Sequence, residues 1–325
     1  MKLIQTAALA IALTIPAVGA NAQQLRMLSS WDKNYANNPV ILNPFMQGIE
    51  AATKGRLKFT VSGPETVPPF EQLEPVASGA FDFLFTAGSY HFGTTPILSA
   101  MGALEGDPEA IRASGILAEV DKHYQKIGLK VVALPITPNG GYHIILKQPV
   151  GPSGDLQGRK IRGTPVYASV ITMLGGAMTV LPPGEIYQGL EKGIVDGAAW
   201  PVTGALSFRW NEVAKHLLRP AFGIETAPIL MNLNTWNRLS EADRQIIMQE
   251  ARKVEDAFFK EVVRMWAEEE QALLAKGVTV TQMGDAQKAK LQDAWSSGLW
   301  TMAAEKKRAE VEALHAFARS KKVAR

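Results

Sequence analysis

Apolar and polar positions along the chain switch between a period of two and a period near 3.6. Residues 25–29 read as a first strand, and residues 57–61 alternate as strands do. Between them, residues 39–54 set Val40, Ile41, Phe45, Ile49 and Ala52 on one helical face, and Gly55 stops that helix. A proline-rich turn at 63–69 precedes a second helix candidate and a short apolar run at 81–85. Further strands are predicted at 130–134, 143–146, 160–162 and 178–181. Strands interleaved with helices predict α/β lobes with mostly parallel sheets.

Two longer-range patterns add to this. Pro68-Pro69-Phe70-Glu71 is followed by Gly79 and Asp82, and Pro182-Pro183-Gly184-Glu185 by Gly193 and Asp196, so glycine and aspartate fall at the same distances from each glutamate. Each copy reads as a proline-marked helix start, a glycine stop and a strand entered at Phe81 or Val195, although Pro75 interrupts the first. The repeat predicts two lobes built on one local plan. Ser240 then stands as a helix N-cap with Asp243 at N3, and no glycine or proline follows until Gly277. A single helix over 241–276 would reach about 54 Å, long enough to brace both lobes; two helices with an unmarked break are the alternative. Residues 286–318 read as a closing, largely amphipathic helical region.

The 325 residues are 46% hydrophobic and 20% charged, an ordinary globular composition. Lys2, the apolar stretch at 3–18 and Ala20-Asn21-Ala22 form a signal-peptide pattern with cleavage expected after Ala22, and Pro16 and the short apolar run argue against a membrane anchor. The net charge of +3 comes from dispersed residues, and the dense basic run at 319–322 reads as a solvated tail, so no nucleic-acid partner is expected. The absence of cysteine excludes disulfides and thiolate chemistry. No nucleophile elbow, zinc-protease helix or phosphate loop occurs, and no two of the five histidines share a helical face; no cofactor is expected.

The segment with candidate chemistry starts at Asp155. A Gly/Asp turn feeds a strand that ends at Arg162, before Gly163-Thr164-Pro165. Strand ends of open α/β sheets face the ligand crevice, and an arginine fork there suits a carboxylate. Arg159 is a rival within the segment, although its place beside the turn favours solvent.

The blocks D-L-Q-G-R-K-I-R, P-V-Y-A, L-G-G-A, G-E-I-Y-Q-G-L-E-K-G-I-V-D-G and W-P, in order from Asp155 to Pro201, resemble the signature region of the solute-binding proteins of TRAP (tripartite ATP-independent periplasmic) transporters, the DctP family. Gly79-Ala80-Phe81-Asp82-Phe83 resembles a second family block. The resemblance implies a periplasmic-binding-protein-like α/β fold: two lobes around a ligand cleft, joined by crossover strands and a long bracing helix. It implies lobe I at 23–140 plus about 227–263 and lobe II at 141–226 plus about 264–325. It also implies a periplasmic monomer that binds a small organic acid through Arg162, delivers it to the TRAP membrane permease, and performs no catalysis. Three positions depart from many relatives: Ala198-Ala199-Trp200 replaces a polar run, His143 takes the place of a second arginine, and Pro183 that of a phenylalanine. Each lowers polarity near the expected pocket, which disfavours hydroxyl-rich sugar acids. Trp31, Tyr90, Tyr167 and Trp200 are the expected walls for an aromatic or 2-oxo monocarboxylate, with Ser89, His143 and Pro183 as further ligand contacts. The alternative from another class is an exported lyase or hydrolase using Glu185 with His143 or His91 as acid and base.

Overall fold

The computed structural model describes residues 22–325; the signal-peptide expectation, save for Ala22, lies outside them. Eleven strands form two sheets: β1 (Gln23–Ser29), β2 (Leu57–Ser62), β3 (Phe83–Phe85), β4 (Leu129–Ala133), β5 (Tyr142–Leu146), β6 (Lys160–Arg162), β7 (Ala177–Thr179), β8 (Gly197–Pro201), β9 (His216–Phe222), β10 (Ile229–Asn232) and β11 (Thr279–Gln282). The first sheet has the order β2-β1-β3-β10-β4 and the second β11-β9-β5-β8-β6-β7. The chain thus leaves the first sheet after β4, builds most of the second, and returns through β10. This is the two-lobed α/β architecture.

The sheets are mixed, where mostly parallel ones were expected. In each, one strand opposes its neighbours: β10 runs antiparallel to β3 and β4, and β5 to β8 and β9. These are the strands the chain enters on each passage between lobes. The two connecting segments lie side by side. Thr137 N–H donates to Glu225 O at 3.1 Å, and Ala227 N–H to Pro135 O at 3.0 Å.

The repeated segments perform the same local task in both lobes. Each opens with a short 3₁₀ turn, Pro69–Glu71 or Pro183–Glu185, and continues into Leu73–Ala77 or Ile186–Glu191. Gly79 and Gly193 then turn the chain with φ of 89° and 72°, a conformation that costs glycine little. The carboxylate of Asp82 accepts from Arg26 N–H at 2.8 Å, and that of Asp196 from Lys160 N–H at 2.8 Å. Both aspartates therefore fasten the neighbouring parallel strand rather than a ligand.

The long helix is continuous over Glu241–Ala275, with the Ser240 hydroxyl accepting from Asp243 N–H as expected. It is fixed at two heights by buried or half-buried carboxylates. Glu255 accepts from Leu134 N–H at 2.8 Å, where the chain leaves the first lobe. Glu269 accepts from Gly204 N–H at 3.2 Å and Leu206 N–H at 2.9 Å in the second. The closing region divides into Asp285–Lys306 and Arg308–Ser320. The first of these packs on Ala168–Met173 in the second lobe and on residues 97–103 in the first, while the last helix lies against Ile116–Gln125. The chain end thus does not stay with the second lobe, to which 264–325 was assigned. Among the described residues no helix is long and apolar enough to cross a membrane.

Candidate functional site

Arg162 ends β6, and its whole side chain is buried, at 0% exposure. Nε donates to Leu181 O at 2.9 Å and Nη1 to Ala199 O at 3.2 Å, while Nη2 has no partner. Both N–H groups on Nη2 are thus left free. The guanidinium lies over the Trp200 ring, 5.0 Å from its centroid. Burial lowers its pKa, opposed by the neighbouring Tyr90 and Tyr167, but an arginine remains cationic in water-accessible pH. No carboxylate of the described residues pairs with it. A buried cation without a counter-ion costs several kcal/mol, roughly, so the arrangement is incomplete without an anion.

The cavity around it lies between the lobes. Trp31, Ser89 and Tyr90 come from the first-sheet side, Arg162, Thr164, Tyr167 and Trp200 from the second, and Glu225 from the returning connection. Trp31 stacks on Tyr35 at 4.4 Å, and its indole N–H donates to the Tyr90 hydroxyl at 3.2 Å. The Thr164 hydroxyl donates to that of Ser89 at 3.1 Å, bridging the lobes. Free space between atom surfaces is about 330 Å³, but the centre of a water-sized sphere can occupy only about 20 Å³. That is room for about one or two waters. The lobes are nearly shut over the site.

Six of the eight expected ligand contacts meet there: Arg162, Trp200, Tyr167, Trp31, Tyr90 and Ser89. Pro183 instead lines a wider outer cavity of about 420 Å³, where Pro68 and Pro69 face Pro182 and Pro183 across the cleft and Trp31 is shared with the inner one. His143 does not line either cavity. It is buried, with Nδ1 3.5 Å from Arg219, which itself pairs with Glu270, and burial holds its pKa well below the usual range. Strand alternation explains the miss: its neighbour Tyr142 takes the cavity position. Arg159 donates to Gln148 O and Pro149 O and lies outside the cavity. Glu185 borders the outer cavity with neither histidine beside it, and His91 is buried against Thr86 Oγ1 at 2.9 Å, so the acid/base pair of the enzyme reading is not assembled.

Glu225 was missed. It is 2% exposed, and its Oε1 accepts from Asn37 Nδ2 at 2.8 Å and the Tyr35 hydroxyl at 3.4 Å, while Oε2 is unpartnered. Burial pushes its carboxyl up to about 8. The only sequence signal was a lone carboxylate within an otherwise apolar run.

Comparison with known proteins matches residues 38–306 to the family described as bacterial extracellular solute-binding protein, family 7. The chain is 28% identical over 236 residues to a monocarboxylate 2-oxoacid-binding periplasmic protein of Nostoc sp., covering 68% of this chain and 63% of the relative, less than two thirds of its length. A TRAP periplasmic solute-binding protein of Desulfovibrio salexigens with bound orotic acid superposes with a TM-score of 0.81 at 19% identity, over 92% of this chain and 98% of that one. A TRAP solute-binding protein of Bordetella bronchiseptica, solved with calcium and picolinate, gives 0.79 at 20%, over 92% and 91%. These structures share the fold.

Proposed function

The chain belongs to the bacterial extracellular solute-binding proteins of family 7, and from that premise we propose that it is the periplasmic receptor of a TRAP transporter for a small organic monocarboxylate. The observation that carries this is the buried Arg162 cation, held rigidly by two backbone carbonyls and left without an anion. A carboxylate lying along the Nη1–Nη2 edge takes one N–H from each nitrogen, the two-pronged geometry that gives arginine its selectivity. Trp31, Tyr90, Tyr167 and Trp200 then wall the rest of the ligand, favouring a flat aromatic or 2-oxo acid over a hydroxylated sugar acid.

The nearly filled cavity requires the lobes to part for entry and close afterwards, a hinge transition about the paired connecting segments. In this reading residues 23–140 and about 227–263 form one moving body and most of 141–226 the other. The closed, loaded form docks on the membrane permease as a monomer and releases the ligand unchanged. Titration of the purified protein with organic acids tests this. One acid should bind one to one, raise the melting temperature and reduce the radius of gyration, with no product formed. Turnover of the acid, or the absence of any stabilising carboxylate, overturns the proposal.

A further inference from the structure

Ser89 and Tyr90, which wall the inner cavity, stand on the short turn Gly88–His91. A buried polar chain lies behind that turn. His91 reaches into the first lobe, where its Nε2 is 2.9 Å from Thr86 Oγ1. Thr86 Oγ1 is 2.7 Å from Ser30 Oγ, and Ser30 Oγ is 2.5 Å from Gln72 Oε1. Gln72 Nε2 donates to Val67 O at 2.9 Å and to Ser29 O at 3.1 Å. Val67 immediately precedes Pro68 and Pro69, which line the outer cavity. One run of side chains thus connects the rim of the outer cavity to the wall of the inner one. Ser30, Gln72 and Thr86 have no exposed surface and His91 almost none, so bulk water offers no substitute partner.

The chain has a single hydrogen-bond direction. Both partners of Gln72 Nε2 are carbonyl oxygens, which only accept, so the amide cannot be reversed and Oε1 must face Ser30 as an acceptor. The one hydroxyl proton of Ser30 goes to it. Ser30 then accepts from Thr86, whose other acceptor, Ala87 O, is 3.5 Å away. With its own proton committed to Ser30, Thr86 accepts from His91, so Nε2 carries the imidazole proton. Burial keeps the ring neutral in neutral solution, with its pKa held down to about 4. The orientation of one amide at the rim therefore sets the tautomer of the histidine behind Ser89 and Tyr90.

We propose that Gln72, Ser30, Thr86 and His91 are positioning residues of the binding site, which pin the inner wall and the outer rim of the first lobe to each other before a solute arrives. The proposal rests on the receptor reading above. Gln72, Thr86 and His91 line neither cavity; they act through Ser89 and Tyr90 on one side and Pro68 and Pro69 on the other, while Ser30 borders the outer cavity. Placement matters at this wall because the Tyr90 hydroxyl accepts from Trp31 Nε1 and the Ser89 hydroxyl from Thr164 across the cleft. A wall fixed in advance loses less freedom on binding. If Thr86 no longer accepts, the buried Nε2–H is left without a partner, and the ring and its turn must rearrange to relieve it.

Histidine nitrogen NMR and calorimetry on the whole protein at neutral pH test this together. His91, identified by the signal missing from His91→Gln, should be the Nε2–H tautomer. Thr86→Val removes the acceptor. It should weaken Kd for pyruvate or phenylpyruvate, or for the carboxylate selected by the titration above, at least about fivefold, the low end of what an orphaned buried donor costs. Thr86→Ser restores the hydroxyl and should return Kd to within about twofold of the unaltered protein. Gln72→Glu still accepts from Ser30 but donates to neither carbonyl, so it should weaken Kd while leaving the His91 tautomer as it was. A role in packing alone would lower the melting temperature and leave Kd unchanged. An Nδ1–H tautomer in the unaltered protein, an unchanged Kd in Thr86→Val, or a loss that serine does not restore overturns the proposal. If the valine variant does not fold, the tautomer of the unaltered protein and the Kd of Gln72→Glu decide it. Failure here with a carboxylate still bound through Arg162 leaves the receptor reading standing; no carboxylate binding at all removes both.

Discussion

Replacing Arg162 with methionine keeps an unbranched stem in the cavity and removes the guanidinium. The structure sets two opposing effects on the ligand-free protein. Losing the bonds to Leu181 O and Ala199 O costs about 1.5–3 kcal/mol each, as charged hydrogen bonds do. Removing an unpaired buried cation returns several kcal/mol, roughly the same amount. The two nearly cancel, so the ligand-free melting temperature should move by only a few degrees. Ligand binding has no such compensation. Truncating one partner of a buried charge pair costs about 2–5 kcal/mol, or about 30- to 5,000-fold in Kd. For a ligand at about 1,000 times the original Kd, stabilisation is about 4 kcal/mol, and a 300-fold loss reduces it to about 1 kcal/mol. At about 2 °C per kcal/mol for a chain of this size, the ligand-induced shift falls from about 8 °C to about 2 °C. Differential scanning fluorimetry with and without ligand reads both quantities. A variant that keeps the parent shift, with Kd within about threefold by calorimetry, refutes the role given to this cation.

Two further outcomes follow from the same geometry. Burial holds His91 down to about 4, so between pH 4 and 6.5 the unfolded chain binds more protons than the folded one. His91 thus contributes stability in full above pH 6.5 that is lost as pH falls toward 4; urea midpoints of the parent should drop relative to those of His91→Gln across that window, and parallel curves would contradict the assignment. Gly88 opens the turn Gly88–His91, which presents Ser89 and Tyr90 to the cavity, and a Cβ there would come within 2.6 Å of Leu98 Cβ and 2.8 Å of its carbonyl carbon. Gly88→Ala should therefore cost about 1–3 kcal/mol by overpacking and weaken ligand binding; unchanged melting and Kd would show that the turn's position is immaterial.

Much of the scaffold was legible because its signals are local. Residues 160–162 formed the expected strand, and the long helix runs to Ala275, one residue short of the predicted end, because its cap and the absence of breakers are written in the sequence. The repeat was readable as spacing, and Asp82 and Asp196 show its physical basis in a shared strand-fastening bond. Strand direction was not legible, since period-two alternation is the same for parallel and antiparallel neighbours. β9, β10 and β11 were not anticipated: β9 contains Pro220, β10 is a short continuous apolar run, and β11 is an exposed edge. Which face of β5 meets the cavity was equally hidden, and that parity decided between Tyr142 and His143. Glu225 escaped notice because it stands between strands, where neither motif nor periodicity speaks.

The carboxylates of Glu255 and Glu269 grip opposite halves of the molecule from one continuous rod, and at 1.5 Å per residue they are about 21 Å apart along it. A rod of that kind fixes the baseline between the halves. Any excursion that admits a solute must then be a rotation that preserves this spacing, with the greatest travel at the rim farthest from the rod. The two bodies cannot drift apart as beads on a string would, and each reclosing brings the same walls back into register.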